Sequence, residues 1–188
     1  MKTLITGGCI LAAICFAIGV AGAADLEAGF MGMQWGSPAV HQEGLTRLYE
    51  RKKVVYYVQP NIVHTIHEIP VPNVVYGFYE DRFFAVYINL ESEGVFGEFR
   101  KYLKSQYGNP DKSYSVKTGE TVYKWKQGEV KIKLKTNEEN YRMKVGFYYL
   151  PLSRKVNEEQ MEKAHSRSLQ FFPIKKDEKP EIIPLLRF

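Results

Sequence analysis

From Glu120 to Leu150, apolar and charged side chains alternate through three consecutive segments. That period of two constrains the fold more than any other feature of the chain. Tyr123 and Trp125, then Val130, Ile132 and Leu134, then Tyr141, Met143, Val145 and Phe147 form one set. Lys124, Lys126, Lys131, Lys133, Lys135, Arg142 and Lys144 form the other. Successive side chains of a strand point to opposite faces, so the two sets belong to opposite faces of a sheet. Gly128-Glu129 and residues 137–140 supply the turns. The expectation is a three-stranded antiparallel meander with one core face and one wet, basic face.

Elsewhere the pattern predicts further strands over 29–36, 53–59, 73–79 and 82–90, and a weaker one over 64–69. Pro70 and Pro72 keep that last one out of the centre of a sheet. Glu80-Asp81 is placed for a tight hairpin. Along 82–90, strict alternation puts Phe84, Val86, Ile88 and Leu90 on one face. Ser37-Pro38 suits the start of a short helix ending near Gln42. Val95, Phe96, Phe99, Tyr102, Leu103 and Tyr107 recur at three- and four-residue steps, followed by Gly108 and Pro110. These predict an amphipathic helix at about 94–107 with a glycine cap. The fold class expected is α+β: an antiparallel sheet of five or six strands with this helix packed on its apolar face. Phe84, Val86, Ile88, Phe99 and Leu103 should join Tyr123, Trp125, Val130, Ile132, Leu134, Met143, Val145 and Phe147 in the core.

The first 23 residues, MKTLITGGCILAAICFAIGVAGA, have Lys2, an apolar run and a small-residue Ala21-Gly22-Ala23 site. They predict a secretory signal peptide cleaved after Ala23 and a periplasmic or cell-envelope location. The competing reading is an uncleaved N-terminal membrane anchor. Cys9 and Cys15, the two cysteines of the chain, both lie in this segment. Cleavage would leave a chain without thiols or disulfides. Residues 24–151 then form a single α+β domain. A charged surface helix follows over 152–170, and an extended, proline-containing tail over 171–188.

The opening Phe30-Met-Gly-Met-Gln-Trp-Gly, the mid-chain Val75-Tyr-Gly-Phe followed by Phe83-Phe-Ala-Val, the helix ending Gln106-Tyr-Gly and the late Val122-Tyr-Lys-Trp resemble a group of small exported bacterial proteins. That group shares an F-x-G-x-x-W-G opening and a Y-G-F…F-x-x-V strand pair. The resemblance spans about residues 28–150 and implies no activity, because the group is uncharacterised. Between Tyr57 and Tyr76 the chain departs from the pattern.

Catalytic chemistry lacks its usual parts. No G-x-S-x-G or phosphate-binding loop is present, and no cofactor is implied. His64-x-x-His67-Glu68 has metal-ligand residue types, but i and i+3 of a strand face opposite ways. The histidines are therefore expected to be unpaired surface residues, and no metal site is assigned. The pairs Glu80-Asp81, Glu138-Glu139 and Glu158-Glu159 fall in turns or on a charged helix. Should the fold gather such carboxylates in a cleft, a small envelope hydrolase is the alternative reading. The charge is more informative. The net formal charge is +5, yet residues 24–110 carry −2 and residues 111–188 carry +6. The seven cations of the meander are the candidate binding residues. Anionic lipid, lipopolysaccharide or an acidic envelope protein are the partners they suggest, with nucleic acid disfavoured by export. The sequence is thus read as a non-enzymatic binding or accessory module.

Overall fold

The computed structural model describes residues 26–66, 69–71, 74–137, 140–156 and 181–184. In chain order its strands are β1 (Gly29–Phe30), β2 (Met33–Gln34), β3 (Thr46–Arg51), β4 (Val54–Val58), β5 (Ile62–Ile66), β6 (Ile69–Val71), β7 (Val74–Tyr79) and β8 (Arg82–Leu90). After helix α1 (Glu93–Tyr107) come β9 (Asp111–Ser115), β10 (Glu120–Gln127), β11 (Val130–Asn137) and β12 (Arg142–Tyr149). The short helix α2 (Leu150–Ser153) and strand β13 (Glu181–Pro184) follow. Eight strands form one antiparallel sheet in the order β3-β4-β7-β8-β12-β11-β10-β9. The meander β10-β11-β12 is antiparallel as expected, with Trp125 opposite Ile132 and Ile132 opposite Phe147, but Tyr141 lies in the turn before β12 with positive φ and is exposed.

The architecture is α+β, with more strands than the five or six expected. The six inner strands are the ones that apolar runs mark in the sequence. The additional two, β3 and β9, are the edges. The run at 29–36 is not one strand but a small hairpin, reversed at Met31 and Gly32, both with positive φ. The helix expected after Pro38 is a single 3-10 turn, Ala39–His41. Between β7 and β8, Glu80 and Asp81 both have positive φ, as a two-residue hairpin turn of the I′ kind demands. Neither residue favours that conformation. The turn is held from outside: Lys53 pairs with Glu80, and Asp81 Oδ1 accepts from Ala39 N at 3.2 Å.

Helix α1 lies on one face of the sheet. Ser92 caps it by accepting from Val95 N at 3.3 Å, and Gly108 ends it with φ 77°. Its buried residues Val95, Phe96, Phe99 and Leu103 meet Val86, Ile88, Ile132, Leu134, Val145 and Phe147 in the main core. Trp125 Nε1 donates to the Gly108 carbonyl at 2.9 Å, tying the helix end to β10. The β1–β2 hairpin closes the same core through Phe30, Met33 and Trp35, whose ring stacks on Phe83 at 4.6 Å.

The face opposite α1 is only partly wet, contrary to the simple alternation. A second core fills it under β4, β7, β8 and β12, formed by Val54, Tyr56, Val58, Val75, Phe84, Ala85, Tyr87 and Tyr148 with Leu152 and Val156 beyond the sheet. Phe84 belongs to this second core and not to the face of Val86 and Ile88. The register shifts where Gly77 pairs with Ala85 but Phe78 pairs with Phe83, leaving Phe84 as the extra residue of a bulge. A bulge reverses the parity of everything before it. Phe83 therefore turns to the helix side. Strand β13 runs parallel to β5, and β6 flanks β5 on the other side. The rest of the expected surface helix beyond Val156, and the rest of the tail, lie outside the described residues.

Candidate functional site

Pairing within the meander sets the basic residues in rows. Lys126 stands opposite Lys131, Lys124 opposite Lys133, and Lys135 opposite Lys144. Like charges directly opposite on a sheet are destabilising unless solvated or partnered. The structure gives the seven cations different surroundings. Lys126 and Arg142 are exposed, and Lys124, Lys131 and Lys144 are half-buried. Lys133 and Lys135 retain only 8% and 6% of their surface, which corrects the picture of a uniformly solvated row. Lys135 Nζ lies 3.3 Å from Glu120 Oε2. Lys133 Nζ lies 5.6 Å from the centre of the Tyr148 ring, a cation–π arrangement. That ring crosses Gly146, the cross-strand neighbour of Lys133. A Cβ at position 146 would stand 2.5 Å from the Tyr148 hydroxyl.

These groups border a small depression lined by Tyr87, Lys133, Lys135, Lys144, Gly146 and Tyr148. Its volume is about 10 Å³, room for roughly one water-sized group. It can admit a single oxygen of a carboxylate or phosphate, and is too small to enclose a metabolite. Tyr87 and Tyr56, whose rings stand 6.0 Å apart behind it, are both held protonated by burial. The Tyr56 hydroxyl is pushed up to about 12, partly offset by the neighbouring Tyr87 hydroxyl. Burial raises the Tyr87 hydroxyl well above the ordinary tyrosine range. Neither supplies a base at neutral pH.

His64 is not the surface residue the sequence suggests. It is 3% exposed on β5, and its Nε2 lies 3.1 Å from the Tyr76 hydroxyl. That hydroxyl donates to Gln59 Oε1 at 2.9 Å, so its oxygen is left to accept from the imidazole. Nδ1 is then the bare nitrogen, buried with no hydrogen-bond partner among the described residues. Burial lowers the His64 pKa to about 4. Its sequence neighbours His67 and Glu68, like His165, lie outside the described residues, and His41 is exposed. Among the described residues no three His, Cys, Asp or Glu side chains come together as a metal-binding group. Of the paired carboxylates, Glu138-Glu139 and Glu158-Glu159 lie outside the described residues. Glu80 is held below the usual carboxylate range by Lys53, the opposite of what an acid catalyst needs.

Sequence reasoning missed a second cationic cluster, on the helix side. Arg100 and Lys112 stand 5.8 and 5.6 Å from the centre of the Tyr123 ring. Lys112 lies on an edge strand without apolar alternation, so no sequence signal places it beside Tyr123. Among the described residues no helix is long and apolar enough to cross a membrane. No family model, curated protein or solved structure matches the chain.

Proposed function

We propose that this protein is an exported, non-enzymatic binding module of the cell envelope whose lysine-bearing sheet face meets an anionic surface. The observation that carries the reading is the set of three cross-strand lysine pairs on that face. Cations gathered in rows on one face set up a positive field that attracts an anionic surface. The small depression supports a surface-type partner over an enclosed ligand, because it accepts one anionic oxygen and no more. Anionic lipid or lipopolysaccharide headgroups present such oxygens in an array, and an acidic envelope protein does so along a chain. Leu26, three residues beyond the expected cleavage point, is buried and its carbonyl accepts from Trp35 Nε1 at 2.8 Å.

The test is co-sedimentation of the purified protein with vesicles of graded anionic content across a salt series. Each cation near an anionic membrane contributes roughly 1 kcal/mol. Screening within about 8 Å at physiological ionic strength should make binding fall steeply as salt rises. The variants to use are Lys124→Glu, Lys126→Glu and Arg142→Glu combined, which avoid the buried lysines. Reversing Lys133 would confound lost binding with lost folding. The triple variant should remain folded and lose at least tenfold in vesicle affinity. Equal partition onto neutral and anionic vesicles would refute a membrane partner.

A further inference from the structure

The two edges of the main sheet are built differently. β3 carries an irregularity between Arg47 and Tyr49 and three charged side chains, Arg47, Glu50 and Arg51. A bulge and charges are the ordinary means of keeping an edge from pairing with another strand. β9 pairs with β10 at every residue from Asp111 to Ser115 without a shift of register. Its other side carries no strand among the described residues. The two charges of β9, both exposed, are of opposite sign. Lys112 lies over the Tyr123 ring, and Asp111 is the cross-strand partner of Lys124. Beside them Tyr114 is 56% and Val116 85% exposed, two of the four large apolar side chains that the described residues leave in solvent. Among the described residues the edge thus combines a backbone side without a strand partner, exposed apolar groups and two charges of opposite sign.

We infer that β9 is a self-association edge, pairing antiparallel with β9 of a second copy about a two-fold axis at Ser113. An isologous contact of this kind requires a self-complementary strand, and β9 is one. With Ser113 opposite itself, Lys112 faces Tyr114 of the second copy, Asp111 faces Ser115, and Val116 faces Pro110. No like charges stand opposite each other. In the next row inward, Glu120 is the neighbour of Ser115 and Lys124 the neighbour of Asp111. The row therefore runs Lys124, Asp111, then Ser115 and Glu120 of the second copy, so the basic end of one sheet approaches the acidic end of the other. Pairing extends the sheet and leaves its lysine-bearing face open, so the inference stands independently of the anionic partner.

Sedimentation velocity over a concentration series should show the purified protein passing from monomer to a species of twice its mass. Tyr114→Lys sets a lysine opposite Lys112 of the second copy. It should weaken dimerisation at least tenfold while leaving the unfolding transition of the dilute protein unchanged, because Tyr114 is exposed. Ser113→Pro removes a backbone donor and should abolish the dimer. It also perturbs β9 against β10, so Tyr114→Lys is the decisive variant. Hydrogen exchange offers a second reading, with β9 amides gaining protection as concentration rises and β3 amides unchanged. Added salt should weaken the dimer far less than it weakens binding to an anionic surface, because backbone pairing carries most of the contact. A monomer at every concentration would overturn the inference. So would a dimer that Tyr114→Lys leaves unaltered.

Discussion

His64 shows how one buried side chain couples the fold to pH. In the unfolded chain an imidazole titrates near 6.5, whereas burial holds the folded one near 4. The folded state keeps His64 neutral, because protonation would place a charge, and an Nδ1 donor lacking a partner, in the core. Between those two values the unfolded state binds a proton that the folded state does not. Stability is therefore full above pH 6.5, falls as pH drops toward 4, and loses on the order of 3 kcal/mol across the window. Urea midpoints measured from pH 7.5 to 3.5 should show this limb, and His64→Gln should flatten it while keeping a donor toward Tyr76. At the same scale, Lys133 and Lys126 share a face and a residue type, yet one is buried beside Tyr148 and the other is open to water.

Among the elements, α1 is the one whose making and placing are both local enough to predict. Its apolar stripe and its glycine stop are consecutive in sequence, and the structure puts both to the expected use, with Ser92 added as the N-cap. Ser92→Ala should cost about 1 kcal/mol by releasing one amide at the helix start. Phe99→Ala should cost about 3–5 kcal/mol, because Phe99 has no exposed surface and is central to the helix–sheet core. Denaturant unfolding of the two variants separates these, the first lowering the midpoint slightly and the second several-fold more. The edge strands behave in the opposite way. β3 and β9 carry charged and small polar side chains because solvent reaches them, so no alternation marks them, and they take their form from β4 and β10.

For the molecule as a whole, the sheet is sandwiched on both faces at β7, β8 and β12 and thins toward both edges. Opening β8 or β12 disrupts both cores at once, whereas β3 and β9 each have a single strand neighbour among the described residues. Native-state hydrogen exchange on the dilute protein should therefore find the slowest amides in β8 and β12, exchanging through global unfolding. Those of β3 and β9 should exchange fastest among the strands, through local opening.

The sequence by itself determined the six inner strands, the helix and the antiparallel order of the meander, because those depend on a period of two or of 3.6 that neighbours along the chain already express. Only the tertiary structure decided which lysines meet water. The parity of Lys124 to Lys135 is a property of one strand pair, but burial depends on Tyr148, Glu120 and the second core, brought from elsewhere in the chain. The same holds for Phe84, which the bulge against β7 moves to the other face. It holds too for His64, which is buried because Tyr76 and Gln59 close around it. Periodicity states which side of an element a residue occupies, and long-range packing alone states what that side is packed against.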